Sequence, residues 1–130
     1  MYEILVALDR EEDRAESQAE AIAELPGAPE DVRVLLLHVF EDNPDGASVD
    51  RVSGVRAATE SFEEAGIEHE TLSESGDPGQ EILDAATEYD VDVICVGGCH
   101  RSPTGKALFG STAQQVILNA KQPVLTTSSN

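Results

Sequence analysis

Residues 91–112 read VDVICVGGCHRSPTGKALFGST. The first part, Val91–Val96, is a mostly apolar run of the kind that fills a strand buried on both faces of a parallel sheet. It breaks at Gly97-Gly98 and passes through a loop carrying Gly105 and Gly110 before Ser111. Ser111 with Gln114 matches a capping box, and Ala113, Val116, Ile117 and Ala120 recur at the spacing of a helix face packed on a core. A buried strand that opens through glycines onto a helix start is a junction suited to an anion. Glycines let the backbone approach phosphate oxygens, and the free N–H groups around Ser111–Ala113 carry partial positive charge. Each N–H bonded to a charged oxygen contributes about 1.5–3 kcal/mol.

Working outward, Glu3–Leu8 (EILVAL) and Val32–Phe40 (VRVLLLHVF) repeat the buried-strand pattern. Between them Ala15, Ala19, Ile22 and Ala23 mark a helix over 15–25, stopped by Pro26-Gly27. The turn-rich EDNPDG segment at 41–46 closes the second strand, and Val52, Val55, Thr59 and Phe62 mark a second helix ended by Gly66. Ile67–Leu72 alternates apolar and polar residues, as an edge strand does. At Gly76-Asp77-Pro78-Gly79 the chain turns, with Asp77 placed to cap a helix that has Pro78 in its first position and Ile82, Leu83 and Ala86 on its inner face. Pro123 ends the last helix, and Val124–Thr127 supplies a fifth strand. Strand and helix alternate throughout, which predicts right-handed crossovers and one parallel sheet covered on both faces, an α/β single domain over residues 1–130. Such a sheet takes ligands at the carboxyl ends of its strands where the strand order reverses, so Asp9 and Gly97 become the candidate site edges.

At 130 residues and 13.8 kDa, a domain buries roughly two-thirds of the surface its unfolded chain exposes and folds without staples. Cys95 and Cys99 lack the spacing of a disulfide framework or a zinc site and read as free thiols. Nothing resembles a signal peptide or approaches the roughly 20 apolar residues needed to span a bilayer, so a cytoplasmic location is expected. The charge excludes more: 26 acidic residues against 8 basic ones give a formal net of −18. Nucleic acid and anionic membranes are therefore not expected as partners. The acids are spread along the chain, as on the solvated surface of proteins from salt-loving cells.

Two phosphate motifs fail. A Walker A loop ending at Gly105-Lys106 would need glycine where His100 stands and Ser or Thr where Ala107 stands. A dinucleotide fingerprint after the first strand would replace Asp9-Arg10-Glu11 with glycines. His38, in a buried strand, reads as a core histidine. No metal cluster, catalytic triad or general base is visible beside the glycine loop.

The spacing of Gly97, Gly110 and Ser111 resembles the nucleotide signature of the universal stress protein (UspA-like) family: a glycine, two residues, a second glycine, nine residues, then Gly-Ser or Gly-Thr. ILVALD at the start, LLLHV in the second strand, the Gly76-Asp77-Pro78 turn and QPVL near the end are similar to the family as well. The resemblance implies an adenine-nucleotide α-hydrolase-like fold, an open five-stranded parallel sheet in chain order 3-2-1-4-5. It implies ATP or a related adenine nucleotide as ligand, with magnesium accompanying it. Asp9 would lie near the ribose, Ala7 and the backbone of Val39 beside the adenine, and Gly97, Gly98, His100, Arg101 and Ser102 around the phosphates, with Gly110, Ser111 and Thr112 closing the phosphate site. His100 stands where the signature has its second glycine. A left-handed backbone there costs a non-glycine residue about 1–2 kcal/mol, so His100→Gly is expected to tighten binding. The unblunted last strand points to a homodimer paired through that edge. Two other readings stay open at this stage: a dimeric interaction protein of the same fold holding no nucleotide, and a slow ATPase.

Overall fold

The computed structural model describes residues 1–41 and 48–128, with the Arg101 side chain outside the described set; most of the 41–46 turn lies outside it too. The elements run β1 (Tyr2–Leu8), α1 (Glu12–Ala23), β2 (Val32–Phe40), a 3₁₀ turn (Val49–Arg51), α2 (Ser53–Ala65), β3 (Glu68–Ser75), α3 (Pro78–Glu88), β4 (Val93–Arg101), β5 (Ala107–Phe109), α4 (Ser111–Asn119) and β6 (Val124–Ser128). Five strands are parallel, side by side as β3-β2-β1-β4-β6. Counted among themselves they give the expected order 3-2-1-4-5. The sixth strand is new: β5 folds back antiparallel onto the far end of β4, pairing Cys99 with Phe109, His100 with Leu108 and Arg101 with Ala107.

The continuous apolar runs are continuous because both faces are covered. On one face Ile4, Val6, Val34, Leu36 and Cys95 pack against Ala15, Ala19 and Ile22 of α1 and Val55, Ala58 and Phe62 of α2. On the other, Leu5, Leu35, Leu37, Ile94 and Val96 meet Ile82, Ala85 and Ala86 of α3 and Ala113 and Val116 of α4. Local signals place the helix ends. Asp77 accepts from the Gln80 N–H at 3.1 Å with Pro78 in the first turn. At the end of α2, Gly66 turns left-handed (φ 73°) while Ile67 N–H reaches back 3.0 Å to the Phe62 carbonyl; a glycine makes that turn without steric cost.

At the edge of the sheet where β1, β2 and β3 begin, Arg33 gathers three carboxylates. Its Nε lies 2.9 Å from Glu68, an Nη lies 2.8 Å from Glu70, and Glu3 stands at 3.9 Å. The hydrogen bond to Glu70 is the main cause that holds the guanidinium pKa above its ordinary value; burial opposes it, and the charges of Glu68, Glu70 and Glu3 each add a smaller upward push.

Several expectations are corrected. Residues 97–110 are not one loop, because β4 continues to Arg101 and the hairpin follows. Ser111 is the first residue of α4 rather than its cap; the cap position is Gly110, without a side-chain bond, and Gln114 Nε2 donates back to the Phe109 carbonyl at 3.0 Å instead of closing a capping box. Ile117 and Ala23 are exposed rather than core-facing: each directly follows a fully buried residue, Val116 and Ile22, and so lies about 100° round the helix from the covered face. No helix among the described residues is long and apolar enough to cross a membrane.

Candidate functional site

Ala7 and Val96 are the last registered pair of β1 and β4. Beyond them the strands diverge, one toward Asp9 and the other toward Gly97, and the opening between them leads into a crevice of about 620 Å³. Its two sides differ. Leu37, Val39, Ile82, Val96 and Ala113 form an apolar wall, while Gly97, Gly98, Gly110, Ser111 and Thr112 present backbone at the start of α4. Gly98 takes a left-handed conformation (φ 81°), and its carbonyl accepts from Gly110 N–H at 3.2 Å, which ties the strand exit to the helix entry. The apolar wall suits a base. The glycine-lined helix start suits an anion.

Of the residues expected at the site, Ala7, Asp9, Val39, Gly97, Gly98, Gly110, Ser111 and Thr112 line this crevice. His100 and Ser102 do not. His100 is an exposed member of the β4–β5 hairpin, with none of the left-handed strain expected of it: between 97 and 110 the left-handed residues are Gly98 and Gly105. That removes the reason for His100→Gly to tighten binding. Ser102 builds the hairpin tip, its N–H donating to the Lys106 carbonyl at 2.8 Å and its Oγ accepting from Lys106 N–H at 3.1 Å. Arg101 ends β4, and its side chain lies outside the described residues.

Asp9 follows β1 and is held twice, by an ion pair with Arg14 and by Glu11 N–H donating to Oδ1 at 2.9 Å. The carboxylate is thus oriented before any ligand arrives. Arg10, Arg14, Glu11 and Glu41 complete the charged rim. His38 is buried, with Nδ1–H donating to the Leu8 carbonyl at 2.8 Å and its ring edge-on to Phe40 at 4.6 Å; because a carbonyl only accepts, the proton sits on Nδ1. Burial pushes the Cys95 thiol up to about 12, partly offset by the Gln18 amide, and so keeps it protonated and inert. No cluster of three or more His, Cys, Asp or Glu able to hold a metal occurs among the described residues.

Sequence reasoning missed Gln18, Arg14 and the Pro78–Ile82 wall. Gln18 was open to detection: it lies three residues after Ala15 and four before Ile22, a polar residue inside an apolar helical stripe.

The fold and crevice define a doubly wound α/β protein with a crevice at the switch point of its sheet. The model of the universal stress protein family matches residues 1–128, and the chain belongs to that family. A universal stress protein of Thermus aquaticus, encoded in the 3′ region of a QAH/OAS sulfhydrylase, is 32% identical over 136 residues, covering 94% of this chain and 95% of that one. One from Mycolicibacterium smegmatis is 36% identical over 65 residues, 49% of this chain and half (50%) of its own length. Among solved structures, a universal stress protein from Archaeoglobus fulgidus superposes with a TM-score of 0.78 at 32% identity over 98% of both chains. An A. fulgidus universal stress protein in complex with dAMP gives 0.71 at 28% identity, again over 98% of both.

Proposed function

We propose that this chain is a nucleotide-binding universal stress protein that holds ATP or a related adenine nucleotide in the β1–β4 crevice and acts in the cytoplasm as a stress-response or regulatory module, with residues 1–130 as its one domain. The observation that carries the reading is the crevice itself: an apolar slot for a base and a glycine-lined helix start for phosphates, joined at the switch point beside an oriented Asp9. The dAMP complex of an A. fulgidus relative of the same fold supports it. Asp9 would meet the ribose, Ala7 and Val39 the base, and the N–H groups from Gly110 to Ala113 the phosphates. Magnesium, where ATP brings it, would be held mainly by phosphate oxygens and water, in keeping with that ion's reluctance to dehydrate.

Mass spectrometry of small molecules released from freshly purified, denatured protein is expected to recover an adenine nucleotide. Titration calorimetry is expected to show Gly110→Val weakening ATP or AMP binding by about tenfold or more, since a branched side chain would stand among the N–H donors, each worth about 1.5–3 kcal/mol. Unchanged affinity in that variant, or no binding by the wild type, would count against the site.

The finer proposal is a homodimer through β6. That strand bonds to β4 along one edge only and carries neither Pro nor Lys between Val124 and Ser128. An edge of this kind seeks a partner, and a two-fold axis supplies its own copy antiparallel. Light scattering is expected to give twice the chain mass, falling to the single mass in Val124→Lys; a monomeric wild type would refute the pairing.

A further inference from the structure

Gln18 is 1% exposed, the one polar side chain among Ala15, Ala19 and Ile22 on the buried face of α1. Its amide bridges the two strands that flank the crevice: Nε2 donates to the Ala7 carbonyl at 2.9 Å and lies 3.5 Å from the Cys95 carbonyl. Both neighbours on that side are acceptors, so chemistry fixes the amide with nitrogen toward the strands and oxygen away from them. The oxygen faces Gly97, where an added Cβ would sit 3.0 Å from Oε1 and 3.3 Å from the amide carbon. No donor among the described residues reaches that oxygen, and Gln18 lines the crevice. Gly97, unlike Gly98, is not left-handed, so its backbone conformation does not require glycine. The space does.

We propose that Gln18 is a positioning residue of the nucleotide site, its amide setting the separation of the β1 and β4 ends, and that residue 97 is glycine to admit this amide rather than to admit a phosphate. The inference rests on the crevice being the nucleotide site. It assigns a cause to the crevice's shape: the backbone at Ala7 and Cys95, just short of the crevice mouth, is held by a side chain of α1 that fills the space beside Gly97.

A double-mutant cycle tests it. Gly97→Ala alone forces the amide aside and is expected to weaken ATP binding by about tenfold, within the range of coupling found for residues in contact. Gln18→Ala is expected to cost a similar factor, and adding Gly97→Ala to it less than about twofold, because the clash has gone. Gln18→Met, which keeps the volume without the donor, replaces Gln18→Ala if that variant does not fold. Gln18→Glu adds a readout that a purely structural role would not move. Its carboxylate has no proton for the Ala7 carbonyl, whereas its acid form has one, and burial brings the two forms into competition within an accessible pH range. Its affinity relative to wild type at each pH is expected to rise from pH 8 to pH 5. Equal effects of Gly97→Ala in both backgrounds, or a flat pH ratio, would overturn the role of Gln18 while leaving the nucleotide site standing. A wild type that binds neither ATP nor AMP would instead overturn the reading of the crevice, and this proposal with it.

Discussion

Gly54→Ala is expected to melt about 10 °C below the wild type and to lose nucleotide affinity in the same step, although residue 54 does not line the crevice. Gly54 lies in the first turn of α2, where an added Cβ would stand 2.2 Å from the Asp9 carbonyl oxygen and 3.2 Å from its carbon. The obstacle is backbone, which cannot swing aside as the end of a side chain does. The neighbouring Ser53 Oγ donates to the Arg10 carbonyl at 3.2 Å, so the start of α2 forms the seat of the loop that carries Asp9. Overpacking at a site of this kind costs about 1–3 kcal/mol. For a domain of this length each kilocalorie moves the melting point by about 3–6 °C. Relief of the clash must push the Asp9–Arg10 backbone away from α2, which displaces the carboxylate aligned by Glu11 and Arg14. Scanning calorimetry and ATP titration on the same preparation decide the matter. An unchanged melting point would mean that α2 does not bear on Asp9, and a lowered one with full affinity would mean that the loop tolerates the shift.

Raising KCl from 0.1 to 3 M is expected to increase both the melting temperature and the nucleotide affinity. The formal charge of −18 is spread along the whole chain. At 0.1 M salt these carboxylates repel across a screening length of about 10 Å, and at 1 M that length falls to about 3 Å. The opposing loss is small. The ion pairs among the described residues are Arg14 with Asp9 and Arg33 with Glu3, Glu68 and Glu70. Exposed pairs contribute about 0–1 kcal/mol each. At the crevice, Asp9, Glu11 and Glu41 stand against Arg10 and Arg14, so screening lowers a net repulsion of an anionic ligand while the backbone N–H donors keep their short-range bonds. A flat or falling response in both measurements would make the acidic surface incidental and refute adaptation to high salt.

The layered architecture was legible because its signals are local and redundant. VRVLLLHVF has no polar face to offer solvent, Asp77-Pro78 starts α3 as cap and first residue, and Gly66 stops α2 where only glycine turns freely. Even the switch point followed, since Asp9 comes just after β1 and Gly97 just after Val96, the last residue of β4 paired with β1. What stayed hidden depends on contacts remote in sequence. The β4–β5 hairpin pairs Cys99, His100 and Arg101 with Phe109, Leu108 and Ala107, and neither stretch shows the alternation that would announce a strand. Its turn uses the Ser102 hydroxyl, which accepts from Lys106 N–H, and the left-handed Gly105, signals that mark a turn without showing that its flanks pair. Ser111 and Gln114 have the letters of a capping box, yet the glycine before them takes the cap position because the chain arrives extended from β5. Gly97 was read as a phosphate glycine from its place in a signature. The side chain that occupies the room beside it comes from Gln18, on a helix formed almost 80 residues earlier.

The central place of β1 also governs the order in which a newly made chain finds its partners. β1 is complete at Leu8 and meets β2 early, but its other neighbour, β4, begins only at Val93, roughly 85 residues later. At synthesis rates of about 5–20 residues per second, one flank of a strand that is apolar throughout Ile4–Leu8 waits roughly 4–17 s for its partner. β4 in turn waits for Val124–Ser128 to form β6. Until then the nascent protein carries exposed strand edges of the sort that pair with other chains. The sheet is therefore completed only once β6 has been made, so shielding of β1 on the ribosome bears on folding yield alongside the stability of the finished sheet.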